Sequence, residues 1–396
     1  MSGIFVSTSK LTGEVIVYDL RRNVIVHEIL DYTRWLAHHA GRDAKTISQA
    51  GNHLAGFWGK MLTGSNRLSS ICDSLLSDYR DEELKSVLSN PRSRGSKRAA
   101  KSTVNQKLGA MLNWLVWLQY KGICPPDTIG PVNCRVTAWP ARSPLKDGPW
   151  MPGSPVSSDL FLTGAGTSGL TPAVSRESFE AVREHIEVTY LSEYIASRDS
   201  LFVDVAASAG FRRGSICSLR TDQFDREQLA AWDHDTFPVT PSAQKFGYED
   251  TFEIDTLLAL RVSDFIEGPR KQLLEDLKVS SRVTIAKIFL SSKTGKPITD
   301  RSMTSRLGKA MRAIGGTKGQ AVHAFRGLFA NETIDSETDR RVQRGLDTST
   351  LSIASATATQ LGQRRAESLF PYVANHQSRV ARKRLVARNA GEPAED

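Results

Sequence analysis

The stretch AASAGFRRGSICSLR, residues 206–220, sets two adjacent arginines, Arg212 and Arg213, just after a glycine in a small, apolar segment. A helix through Leu201, Val205 and Ala209 should stop at Gly210, with a second helix carrying Ile216 and Leu219 packed behind. An arginine pinned between packed helices keeps its proton, so either a buried acid or a phosphate must neutralise it. Farther along, QAVHAFRGLFANETI places His323 and Arg326 three apart, on one face of a helix. QLGQRRAESLFPYVANH then brings Gln363 after Leu-Gly, and Tyr372 nine residues later. Guanidiniums clamp phosphate oxygens, an imidazole moves protons, and a phenol can attack phosphorus. Taken singly, each has an ordinary structural use: a salt bridge, a chance spacing, a core tyrosine with a satisfied hydroxyl.

The elements that must position these groups are legible as patterns. In KTISQAGNHLAGFWGKML, Thr46 and Gln49 have capping-box spacing ahead of Ile47, Leu54, Phe57, Trp58 and Met61. STVNQKLGAMLNWLVWLQYKG repeats that spacing with Thr103 and Gln106. It then runs a helical stripe through Val104, Leu108, Met111, Leu112, Leu115 and Leu118 to a stop at Gly122. Residues 25–125 therefore read as a helical domain preceded by an extension, 1–24. Residues 126–172, rich in Pro, Gly and Ser, read as an extended linker. A second domain, 173–385, opens on a helix at Ser175 and Glu177 and holds every group named above, and 386–396 is a tail. Within it, DTFPVTPSAQKFGYEDTFEID alternates like a hairpin around Lys245, and IFLSSKTGKPIT reads as a short buried strand plus turn.

Bulk composition narrows the partner. The chain of 396 residues carries a formal charge of +9, with 40% hydrophobic and 24% charged residues, and so exceeds one ordinary core. Arg92, Arg94, Lys97, Arg98 and Lys101 fall within ten residues without an acid, and Arg379, Arg382, Lys383, Arg384 and Arg388 repeat the pattern. Such runs suit a polyanion, although solvated loops and frayed ends carry them too. The basic run leads into the helix start at Thr103, where backbone N–H groups would add to the cations. Four scattered cysteines without metal-ligand spacing suggest free thiols in a reducing compartment and no metal site. No apolar run approaches the roughly 20 residues of a membrane span, and the start lacks a secretion signal, so a cytoplasmic protein is expected.

The order of the boxes resembles the tyrosine recombinase (phage integrase) family over nearly the whole chain. STVNQKLGAMLNWLVWLQYKG looks like the last long helix of that family's core-binding domain. AGFRRGSICSLRTDQFD resembles its first arginine box, and VHAFRGLFAN its HxxR box. The resemblance implies an all-α, SAM-like N-terminal domain plus a mainly helical, mixed α/β catalytic domain with a small antiparallel sheet. It places Arg212 and Arg326 at the two family arginines, His323 at the histidine, Lys245 at the hairpin lysine and Tyr372 at the nucleophile. Lys97, Arg98, Lys101, Lys107, Arg92 and Arg94 would contact DNA, and Arg213 would meet the DNA backbone or solvent.

Two residues depart from the family pattern. Gln363 stands where the family has His or Trp, and Ser215 stands where an acid commonly supports the first arginine. An insertion including LDTSTLSIASATATQ also precedes Gln363. The resemblance implies cleavage and rejoining of double-stranded DNA through a 3′-phosphotyrosyl link, for integration or excision of a mobile element, with no metal and no cofactor. It further implies a homo-tetramer on paired sites that clamps the duplex, with accessory or sister integrase subunits as further partners, in a bacterial cytoplasm at the nucleoid. A DNA-binding accessory protein with the same fold is the alternative that Gln363 raises. A type IB topoisomerase-like enzyme is a second alternative, disfavoured by the N-terminal domain.

Overall fold

The structure, a computed structural model, describes residues 3–64, 66–90, 97–141, 152–165, 174–244, 248–279, 286–317, 320–363 and 365–389, without the side chains of 383–389. The chain divides into two compact units, Met1–Ser168 and Gly169–Asp396.

In the first unit, β1 (Ile4–Thr8), β2 (Val15–Asp19) and β3 (Val24–Ile25) form an antiparallel sheet, with Ile4 opposite Asp19 and Thr8 opposite Val15. Strand alternation sends Val15 and Val17 inward and leaves Ile16 exposed. The expected N-terminal extension is thus a sheet backed by two helices, α1 (His27–His38) and α2 (Ala44–Thr63). The cap of α2 is Asp43, which accepts from the Thr46 amide at 3.0 Å, so the helix begins before the Thr46–Gln49 spacing. Next come α3 (Asp73–Ser89) and α4 (Lys97–Tyr120). The whole apolar stripe of α4 is buried, and the Trp114 indole donates to the Glu28 carbonyl at 3.1 Å. The helix already spans the basic Lys97–Lys101 segment. Thr103 is therefore internal, its hydroxyl donating back to Ala99, and the phosphate site expected at a Thr103 helix start does not form there.

The Pro/Gly/Ser-rich segment also departs from expectation. Here β4 (Ile129–Gly130) pairs with β5 (Val136–Thr137), and β6 (Trp139–Pro140) pairs with β7 (Val156–Ser157). Ile129, Val136, Ala138 and Leu160 complete the first unit's core. The Asn105 side chain bonds both the amide and the carbonyl of Leu162, at 2.8 and 3.0 Å. Irregular backbone held by single side chains has no period, which is why these residues read as a linker.

The second unit contains α5 (Arg176–Thr189), α6 (Glu193–Ser208), α7 (Arg213–Ser218), α8 (Arg226–Ala230) and the hairpin β8 (Thr236–Val239) and β9 (Phe252–Asp255). It continues with α9 (Thr256–Phe265), α10 (Lys271–Asp276), α11 (Asp300–Ala313), α12 (Val322–Gln343), α13 (Thr350–Gln360) and α14 (Phe370–Asn389). The central helix is α6, buried along most of its length and packed by α5, α9 and α12. The hairpin pairs Thr236 with Asp255 and Val239 with Phe252, burying Phe237, Val239 and Ile254. Ile288, Phe289 and Leu290 are buried as expected, held by isolated bridges rather than a regular strand. The insertion folds as α13, and Ile353, Ala354 and Ala358 form a second core with Ile334, Leu361, Leu369 and Val373.

Candidate active site

Gly210, at φ +61°, makes the turn after α6, and a Cβ there would lie 2.3 Å from the Phe329 ring. Only glycine fits both the backbone and the space. Phe211 plugs the core beside Phe252, with ring centroids 5.0 Å apart, and Arg212 follows at the N-cap of α7. Arg212 is half-buried, and no carboxylate among the described residues lies within ion-pair distance of it. Burial lowers its pKa, opposed by Tyr248.

Arg326, only 5% exposed, donates to the Gly210 carbonyl and, at 3.0 Å, to the Leu361 carbonyl. Those two carbonyls belong to the segments that carry Arg212 and Gln363, so one guanidinium joins both. Burial and the Arg212 charge pull Arg326 down to about 9, against an opposing effect of the Tyr372 phenol. It remains cationic at neutral pH, again without a carboxylate partner among the described residues.

His323 sits in the first turn of α12 with an exposed edge. Partial burial and the guanidiniums of Arg326, Arg212 and Arg213 hold its pKa below the ordinary value, so it is neutral at pH 7. Tyr372 lies in the first turn of α14, half-buried against the α13 core. Burial raises its phenol and Arg326 only partly opposes that, so the resting side chain is protonated. Gly362, at φ +57°, passes close to the hairpin, and a Cβ there would lie 2.5 Å from Phe252 Cζ. The Gln363 side-chain oxygen accepts from the Ser368 hydroxyl, which leaves the amide N–H groups as its donor end. Asp335 of α12 pairs with His376 at 2.5 Å and Arg379 at 2.8 Å, docking the tyrosine helix on its own chain.

Arg212, His323, Arg326 and Tyr372 therefore form one electrostatic neighbourhood. Lys245 lies outside the described residues. Arg213, expected to meet the DNA backbone or solvent, is solvent-exposed and pairs with Asp300 at 3.0 Å and donates to Thr304 at 3.3 Å. Sequence reasoning missed Tyr248 beside Arg212 and Ser368 beneath Gln363. Neither follows a periodic pattern, and only the fold makes them neighbours.

A second polar surface lies on the first unit. Across α2 and α4 there is no Asp or Glu, and α2 exposes Lys45, Gln49, Asn52 and Gly56 along one stripe. Gln49 donates to Gln106 of α4 at 3.3 Å. Lys97 and Arg98 are exposed, and Lys101 uses one donor on the Thr163 carbonyl at 2.8 Å. Lys107 is neutralised by the nearly buried Glu83, which Lys60 also contacts at 3.0 Å. Arg92 and Arg94 lie outside the described residues. No helix among the described residues is long and apolar enough to cross a membrane.

No family model matches the chain, and no curated protein matches its sequence. Solved structures do match. One is XerH site-specific recombinase bound to palindromic difH substrate in a post-cleavage complex, 13% identical over 92% of this chain and 85% of that one, with a TM-score of 0.51. Another is the Tn1549 transposon integrase in complex with transposon right end DNA, 13% identical over 91% and 99% of the two chains, with a TM-score of 0.52. The chain has the two-domain fold of the tyrosine recombinases.

Proposed function

We propose that the chain is a site-specific DNA recombinase that cleaves and rejoins duplex DNA through a 3′-phosphotyrosyl link. One observation carries the reading: two cationic guanidiniums, neither with a carboxylate partner among the described residues, lie close enough to repel each other, and one of them, Arg326, interacts with the half-buried phenol of Tyr372. A scissile phosphate supplies the missing anion. As the phenol oxygen attacks, charge grows on the non-bridging oxygens, and Arg212 and Arg326 hold them more tightly in the transition state. The Gln363 amide adds a hydrogen bond. Neutral His323 accepts a proton in the course of the attack, matching a phenol that rests protonated. The O5′ leaving group takes a proton from Lys245. The new Tyr372–phosphorus bond conserves the ester's energy, so a 5′-hydroxyl can reverse the step without a further energy source.

The acid-free face of α2 and α4 supports duplex binding in the first unit, with Lys97, Arg98 and Lys101 as phosphate contacts. A homo-tetramer on paired sites and service to a bacterial mobile element complete the proposal. The test is a nicked suicide duplex. The wild-type protein should trap a covalent complex, and Tyr372→Phe should bind equally in a gel shift and trap none. Binding by both proteins with trapping by neither would favour the accessory-protein reading that Gln363 raises.

A further inference from the structure

We propose that Lys287 is a positioning residue, a latch that holds the loop leading into Lys245 against the helix that begins at Arg212. The inference rests on the cleavage reaction above. Lys287 Nζ donates to the Ser218 carbonyl and to Ser242 Oγ, both at 2.8 Å. Ser218 closes α7, whose N-cap is Arg212, and Ser242 lies in the loop leaving β8. The same knot is tied twice more. Ser242 Oγ donates to the Ser218 carbonyl at 2.7 Å, and the Ala243 amide donates to Ser218 Oγ at 3.0 Å. Gln244 reaches across the loop to the Asp250 carbonyl at 2.6 Å, and in sequence Lys245 comes next.

Lys287 is itself anchored from behind. The Thr221 amide donates to Ala286 at 2.8 Å and the Ile288 amide to Leu219 at 3.3 Å, so the lysine rides on backbone bonded to the segment after α7. No carboxylate among the described residues forms an ion pair with its half-buried ammonium, and its charge is directed at the oxygens of the knot. Partial burial and Arg220 hold its pKa below the ordinary lysine value, against an opposing pull from the Asp222 carboxylate, which Arg220 itself pairs with. An apolar side chain would fill the space at less cost in desolvation but could not bind the two segments together.

The chemistry supplies a specific test. In cleavage the P–O5′ bond breaks, the electron pair stays on O5′, and that oxygen takes the Lys245 proton. With sulfur in the 5′-bridging position, the P–S bond breaks to a thiolate that needs no proton. The full chain carrying Lys287→Met should form the covalent complex about 10²-fold more slowly on the oxygen duplex, yet within about threefold of wild type on the sulfur duplex. Lys287→Arg should recover part of the oxygen rate. Equal loss on both duplexes, or no loss on oxygen, would overturn the latch. Should Lys287→Met fail to fold by circular dichroism, Ser242→Ala removes one strand of the knot. It must then show a smaller defect of the same oxygen-over-sulfur kind. A wild-type protein inert on both duplexes would instead refute the recombinase reading itself.

Discussion

Two sets of arginines in the second unit are treated in opposite ways. Arg198, 1% exposed, donates to Asp199 at 2.8 Å, and Arg306 reaches the other oxygen of that carboxylate at 2.7 Å. Arg183 and Arg261 share Asp204 in the same fashion. Among the described residues, neither Arg212 nor Arg326, on neighbouring segments, has a carboxylate partner, and Arg326 donates to backbone carbonyls instead. Among the described residues, the unit thus supplies carboxylates to the first set and none to Arg212 and Arg326. Two like charges kept close and desolvated cost free energy in the empty site, and an arriving phosphate offsets that cost. The contrast separates structural cations from working ones, and three measurements sharpen it.

The largest effect belongs to the neutralised set. Asp199→Ala strands the guanidiniums of Arg198 and Arg306 and should lower unfolding stability by about 3–5 kcal/mol, read by urea denaturation. A loss under about 1 kcal/mol would mean the paired set is not structural in this sense. The next effect is on pH dependence. Since His323 titrates below its ordinary value of about 6.5, cleavage should hold steady through neutrality and fall about tenfold per pH unit beneath that pKa, as imidazolium accepts no proton. The acid limb should vanish in His323→Gln, and its survival there would remove His323 from the proton path. The smallest effect applies the same contrast to the first unit. Arg98, exposed, should contribute about 0.9 to the slope of log affinity against log salt, whereas Lys107, held by Glu83, should contribute almost nothing. Equal slopes for Arg98→Ala and Lys107→Ala would erase the distinction.

Local signals in the sequence carried much of this. Gly210 and Gly362 each sit where positive φ and a crowding phenylalanine leave no room for a side chain, and Gly210 announced its turn. The spacing of His323 and Arg326 and the stripe of α4 were readable because helical period is local. What escaped notice depends on partners far along the chain. Arg213 meets Asp300, and Lys107 meets Glu83 on a different helix, pairings that the surrounding sequence does not announce. The phenol of Tyr372 illustrates the same limit. Arg326 eases its deprotonation, but burial prevails, and burial is a property of packing that no motif records. The described residues between 126 and 165 escaped too, because two-residue strand pairs and side chains such as Asn105 hold them, and neither leaves a period to read.

The central claim is that Arg212 remains without a carboxylate in order to meet a phosphate's negative charge. A suicide duplex with a neutral methylphosphonate at the scissile position removes the charge that the arginine would answer. Arg212→Ala should be inert on the ordinary phosphodiester yet form the Tyr372 adduct on the methylphosphonate. If the folded variant binds both duplexes and attacks neither, the guanidinium is not there to neutralise the phosphate, and the account is contradicted.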